Sequence, residues 1–259
     1  MDLTTLQYGL GVASGSVIGF VLALAGGGGS ILAVPLMLYL VGVTNPHVAI
    51  GTSAFAVAVN AATGLLSHAR ARTVRWRCGL PFAASGVAGA VAGSTLGKAF
   101  NGAQLVVFFG FLMLGVAGLM LARSRLVTAS ASEAPAGGRL LRLCSLGAGS
   151  GSVAGFFGIG GGFLIVPGLV TATGMPILEA VGTSLIAVLA FGLTTAANYA
   201  LSGFVDWPLA ASFIAGGVVG CASGSALARR LSTRPGLLEV LLALLIAFVA
   251  IVMISKSFS

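Results

Sequence analysis

Gly26-Gly27-Gly28-Gly29-Ser30-Ile31-Leu32-Ala33-Val34-Pro35 and Gly158-Ile159-Gly160-Gly161-Gly162-Phe163-Leu164-Ile165-Val166-Pro167 are two copies of one pattern, a glycine run leading through apolar residues to Val-Pro. Consecutive glycines weaken a helix by up to about 1 kcal/mol each. A broken backbone at membrane depth survives only inside protein or beside a water-filled cavity. The pattern therefore predicts two helices broken at their glycines, with each break shielded by the rest of the chain.

The surrounding composition makes the bilayer the solvent. The 259-residue chain is 58% hydrophobic before its 40 glycines are counted and only 7% charged, whereas soluble domains reach about 45–50% apolar with glycine included. Charges cluster between long apolar runs, as loops do between membrane spans. The net charge of +8 comes largely from arginines in short connections, which read as topology signals. Arg70, Arg72, Arg75 and Arg77 lack the aromatic platform of a nucleic-acid reader, so nucleic acid is not an expected partner. Cys78, Cys144 and Cys221 have no CxxC spacing; packing is expected of them, and neither metal nor cofactor. The start MDLTTLQYGL has no basic n-region, so no removable signal peptide is expected.

Runs of about 20 apolar residues, enough to cross a hydrocarbon core, occupy 46–66, 79–98, 102–123, 178–200, 209–228 and 236–255. Regions 7–42 and 141–175 are apolar but interrupted. Ser124–Gly138, SRLVTASASEAPAGG, has the composition of a flexible linker. The halves on either side repeat one another. Ser14-Gly15-Ser16-Val17-Ile18-Gly19-Phe20 matches Ser150-Gly151-Ser152-Val153-Ala154-Gly155-Phe156, and Gly51-Thr52-Ser53 matches Gly182-Thr183-Ser184. Trp76 matches Trp207, and Gly86, Gly89 and Gly93 match Gly217, Gly220 and Gly224. On this alignment the first half carries about four extra residues between Phe20 and its glycine run, close to one helical turn.

Orientation follows from the basic residues, which accumulate in cytoplasmic loops. The loop before Trp76 holds Arg70, Arg72 and Arg75, whereas its counterpart before Trp207 holds Asp206 and no base. Corresponding loops thus fall on opposite faces, the mark of inverted-topology repeats. The expected fold is an all-α polytopic membrane protein of two inverted-topology repeats, each a glycine-broken helical hairpin followed by three transmembrane helices. The first repeat spans 1–123, a cytoplasmic linker 124–140 and the second repeat 141–259, with both termini outside.

A helix restarting after a break points free N–H groups and a positive dipole end into its surroundings, which favours an anion. Gly28, Gly29 and Ser30 of the first break and Gly160, Gly161 and Gly162 of the second are therefore expected to line a binding site near the midplane. Thr52, Ser53, Thr183 and Ser184, near the starts of the helices after each hairpin, offer hydroxyls for capping or for a ligand oxygen. Asn60 and Asn198 are amides within apolar helices and need partners, either interhelical bonds or substrate. No acid or base falls at the middle of a span, so a buried carboxylate for proton coupling is missing. Gly86, Gly89, Gly93, Gly216, Gly220 and Gly224 read as packing glycines that let helices approach.

Three rival readings fare worse. Gly158-Ile159-Gly160 is half of a dinucleotide fingerprint without its third glycine, strand or acidic partner. An intramembrane serine hydrolase using Ser53 and His68 fails because fifteen residues along one helix separate the pair by roughly 22 Å. His68 alone reads as an interfacial residue at a span boundary.

The paired breaks, the Gly-Thr-Ser motifs, the loop tryptophans and above all Gly155-Phe156-Phe157-Gly158-Ile159-Gly160-Gly161-Gly162-Phe163-Leu164-Ile165-Val166-Pro167 make the chain resemble the TauE/SafE family of membrane permeases. The resemblance covers nearly the whole chain. It implies transport, most often export, of small sulfur-containing anions such as sulfite, thiosulfate or organosulfonates across the bacterial cytoplasmic membrane. An uptake permease or a channel for a small anion is the alternative. The expected partners are that anion and the lipid bilayer; a homodimeric assembly is left open. Leu24-Ala25 before the first glycine run departs from Phe156-Phe157 of the second copy, so the two hairpins are expected to differ in shape.

Overall fold

The computed structural model describes residues 4–125, 138–231 and 235–257, and among them the chain is helical with no strand. The linker expected at 124–140 falls mostly on 126–137, outside the described residues. Helix α1 (Thr5–Ala25) runs into a 3-10 turn (Gly26–Leu32), a short α2 (Ala33–Pro35) and a π turn (Leu36–Leu40). Then come α3 (Pro46–Arg70), α4 (Trp76–Ala99) and α5 (Gly102–Arg125). The second half repeats the order with α6 (Arg139–Phe157), α7 (Gly162–Thr173), α8 (Ile177–Ala200), α9 (Trp207–Leu231) and α10 (Pro235–Ser257).

Among the described residues, six stretches are long and apolar enough to cross a membrane by length and composition: Thr5–Ala23, Pro46–Arg70, Trp76–Ala99, Arg139–Phe157, Ile177–Ala200 and Trp207–Gly224. Helices α5 and α10, with 24 and 23 residues, reach about 35 Å at 1.5 Å per residue, also sufficient for a hydrocarbon core. The two interrupted regions are hairpins. Gln7 Nε2 donates to Val41 O at 3.1 Å, tying the end of the first hairpin to its beginning. Arg139 donates to Thr173 O at 3.5 Å and ties the second in the same way.

These two ties correct the expected extra turn in the first half. Counting from Gly28 and Gly160, Gln7 falls on Arg139 and Val41 on Thr173, so both hairpins have the same length. Helix contacts agree. A Cβ on Gly15 would run into Phe213 O and one on Gly147 into Phe82 O; Gly19 meets Gly217 O where Gly151 meets Gly86 O. Gly19, not Gly15, is therefore the partner of Gly151. With glycine at every fourth position, the Ser-Gly-Ser match is displaced by one turn and still pairs glycine with glycine.

These close approaches define the packing. Helix α1 lies on α9 and α6 lies on α4, each pair backbone to backbone, while α3 crosses α8 at the centre and α5 pairs with α10. Gly89, Gly93, Gly216, Gly220 and Gly224 each sit against a carbonyl of the facing helix, so here the small side chain lets the helices meet. Gly86 instead lies beneath the ring of Phe191.

Candidate functional site

The second break is a true interruption. Gly158, Gly160 and Gly161 have φ of 68°, 64° and 66°, a left-handed run that costs other residues roughly 1–2 kcal/mol each. It stops α6 and restarts the chain as α7, whose Leu164 and Ile165 N–H groups donate to Gly161 O. A Cβ on Gly160 would lie 3.1 Å from Val188 Cγ1 and 3.4 Å from Val57 Cγ1, which places this glycine where α3 crosses α8. Gly158 is pressed against Ile50, three residues before Ser53, and Gly161 folds back on Ala154. The first N–H groups of α7, Gly162 foremost, are thus delivered to the centre of the protein. By geometry the first turn of any helix leaves such donors unused.

The first break is built differently. It continues as a 3-10 turn, and Gly29 lies against the backbone of Val21 and Leu22 without a left-handed φ. This turn, which includes Gly28, packs on α7 and on α8, so the two breaks touch. Gly29, Ser30, Gly160, Gly161 and Gly162 are all buried.

Neither threonine caps its helix, since α3 starts after Asn45 and α8 after Pro176. Helix α3 begins at Pro46 and is capped by Asn45, whose Oδ1 accepts from His47 N at 2.9 Å, so Gly51-Thr52-Ser53 lies inside the helix and caps nothing of its own. Thr52 Oγ1 accepts instead from Asp206 N at 3.0 Å, and Thr183 Oγ1 from Arg75 N at 2.9 Å. Each threonine holds the loop before the other half's tryptophan helix. Gly51 and Gly182 make room for those loops, a Cβ on the first meeting Phe204 O and one on the second lying 3.2 Å from Thr73 O.

Ser53 and Ser184 donate to the carbonyls three residues back, Ile50 at 3.1 Å and Val181 at 2.7 Å. Both are buried. Their protons are taken up by the helix, a local bond that a hydroxyl exchanges by rotating about χ1, and an anion would have to turn them.

The asparagines divide. Asn198 stands apart from the breaks: its Nδ2 donates to Ser94 Oγ at 2.6 Å and Thr95 Oγ1 at 3.0 Å, and its Oδ1 accepts from Lys98 Nζ at 2.7 Å. It fastens α8 to α4. Asn60 is fully buried against Gly217, with neither Oδ1 nor Nδ2 in a hydrogen bond. It stands one turn along α3 from Val57, on the side of the helix that meets α9. A buried amide left unpaired costs about 1–3 kcal/mol.

Reading the sequence missed one feature. A cavity of about 160 Å³ lies between α1, α3, α8 and α9, with Thr63, Ser67, His68 and Cys221 as its polar wall. Thr63 and Cys221 both donate to Asn60 O, at 2.7 and 3.9 Å, so the cavity ends where Asn60 begins. Only the small residues at the crossing, Gly64 among them, hinted at it. No cluster that would hold a metal exists among the described residues.

The profile described as "Sulfite exporter TauE/SafE" matches residues 11–253. A "Probable membrane transporter protein" of Xylella fastidiosa (strain Temecula1) is 48% identical over 252 residues, covering 96% of this chain and 95% of that one. The "Probable membrane transporter protein YunE" of Bacillus subtilis is 30% identical, over 86% of this chain and 89% of its own. No solved structure matches the chain. These likenesses name a membrane transporter. With its helices long enough to cross a bilayer and its two glycine breaks in contact at the centre, the chain belongs to the sulfite exporter TauE/SafE family and is a multi-pass membrane transporter.

Proposed function

We propose that this transporter carries small sulfur-containing anions of the sulfite, sulfonate or thiosulfate type outward across the bacterial cytoplasmic membrane by alternating access. The observation that carries the reading is the meeting of the two breaks. The left-handed run at Gly158, Gly160 and Gly161 brings the N-terminus of α7 to the α3–α8 crossing at Val57 and Val188, and one turn further along α3 the amide of Asn60 lies unpaired against Gly217. Backbone N–H groups, a positive helix end and an amide donor suit an oxyanion without any full positive charge. The TauE/SafE match supports the sulfur chemistry and the direction.

Inverted repeats supply the movement. Equivalent contacts recur across the halves: Thr52 with Asp206 and Thr183 with Arg75, Gln7 with Val41 and Arg139 with Thr173. Motion of one repeat against the other then exchanges which end of the site is open. The arginine-bearing loop 71–75 is assigned to the cytoplasm. An inside-negative potential favours anion exit by about 2.3 kcal/mol per charge for roughly each 100 mV, so export needs no coupling ion. Reconstitution with a panel of sulfite, thiosulfate, sulfonates and chloride tests the reading: saturable flux of a sulfur anion supports it, and flux of chloride alone overturns it.

A further inference from the structure

The two ends of the α3–α8 crossing are not alike. At the arginine end, Thr63, Gly64, Ser67 and His68 line the 160 Å³ cavity, closed on the far side by Leu22, Leu185 and Cys221. Their counterparts in the second half are Thr194, Thr195, Asn198 and Tyr199. There the space is filled. Thr195 is buried where Gly64 leaves room, and Tyr199 joins Phe204 and His47 in a ring cluster with centroids 5.3 to 6.3 Å apart. Lys98 closes the rim, its Nζ donating to Asn198 O at 3.0 Å, Asn198 Oδ1 at 2.7 Å and Ser202 Oγ at 2.9 Å.

We propose that the cavity is the open vestibule through which a small anion reaches Asn60 and the glycine breaks, and that the His47–Tyr199–Phe204 cluster with the Lys98 tie is the closed gate at the other end. This rests on the anion-transport reading above. The vestibule leads somewhere: Thr63 and Cys221 bond the carbonyl of Asn60, and Leu22 backs onto Gly29. Its mouth adjoins the loop of exposed Arg70, Arg72 and Arg77, whose field raises the local concentration of anions. The gate, by contrast, joins two helices through one ammonium group and a few aromatic rings, a contact set that opens by releasing Lys98.

Native Cys221 is the probe. In a Cys78→Ser, Cys144→Ser background the protein is reconstituted in vesicles and treated with a membrane-impermeant sulfonated methanethiosulfonate from one face at a time. Arg72→Cys and Gly203→Cys, in a background that also lacks Cys221, report which face is which. Expected is modification of Cys221 from the Arg72 face at least about tenfold faster than from the Gly203 face, with Lys98→Met raising the rate from the Gly203 face. Ser67→Cys at the mouth, again without Cys221, is the second probe should Cys221 react slowly on either side. Equal rates from both faces, or preference for the Gly203 face at either probe, overturn the proposal. Sidedness that persists while no sulfur anion protects Cys221 leaves the vestibule standing and overturns the substrate reading instead.

Discussion

Thr183 Oγ1 accepts the backbone N–H of Arg75 at 2.9 Å, a bond between the second half's Gly-Thr-Ser motif and the loop that leads into the first half's tryptophan helix. Thr52 does the same for Asp206. The motif's threonines thus bind the halves to each other, while its serines bond within their own helices. Thr183→Val keeps the shape and removes the acceptor, leaving a part-buried N–H without its partner. The expected loss is about 1–2 kcal/mol of stability, read as a lower melting temperature in detergent, with substrate affinity unchanged. Unchanged melting with lost affinity would return Thr183 to the site.

The register of α1 on α9 has its own test. Gly19→Ala and Gly151→Ala both place a methyl against a facing carbonyl, and overpacking of this kind costs typically about 1–3 kcal/mol. Similar drops in melting temperature are expected for the two. Gly149→Ala, with nothing within 4 Å of its Cβ, is expected to leave melting unchanged.

Gly160→Ala combines a left-handed φ with contact on Val188 and Val57, so it strains the break at the helix crossing. Gly174→Ala shares the positive φ, 69°, in open space. Both are expected to lose about 1–2 kcal/mol of stability from backbone strain, but only Gly160→Ala is expected to abolish flux in a reconstituted transport assay.

Asn60→Leu separates function from stability. Replacing an unpaired buried amide with an apolar side chain of similar size removes a desolvation cost, so melting is expected to stay or rise. Flux is expected to fall about tenfold or more, the equivalent of one charge-assisted hydrogen bond of about 1.5–3 kcal/mol. A fall in melting temperature with normal flux would make Asn60 a packing residue.

Much of this was legible in the chain itself. Hydropathy placed the helices, and the consecutive glycines located both breaks: the second because no other residue tolerates its left-handed angles so cheaply, the first because a run of glycines is a poor α-helix former. The one-turn error between Phe20 and Gly26 arose because Gly11, Gly15 and Gly19 repeat every fourth residue; a ladder with that period matches itself after a shift of one turn, and only facing carbonyls such as Gly217 O settle it. Thr52 and Thr183 pair with loops more than a hundred residues away, which local pattern does not reveal. Asn198 was recognisable as an amide needing a partner, but Lys98 as that partner was not. The cavity beside Asn60 depends on Gly64 and His68 standing where the other half has Thr195 and Tyr199; the repeat alignment pairs these residues, but that the difference leaves a cavity shows only in the packing.

Counterflow in proteoliposomes tests the central claim most directly. Vesicles loaded with unlabelled sulfite or a small sulfonate are diluted into trace radiolabelled substrate, with wild-type protein and Asn60→Leu compared side by side. Alternating access at a single anion site predicts a transient overshoot of label driven by the internal pool, present in the wild type and lost in Asn60→Leu. Equilibration of label at a rate indifferent to the internal substrate would show an open pore and contradict the account.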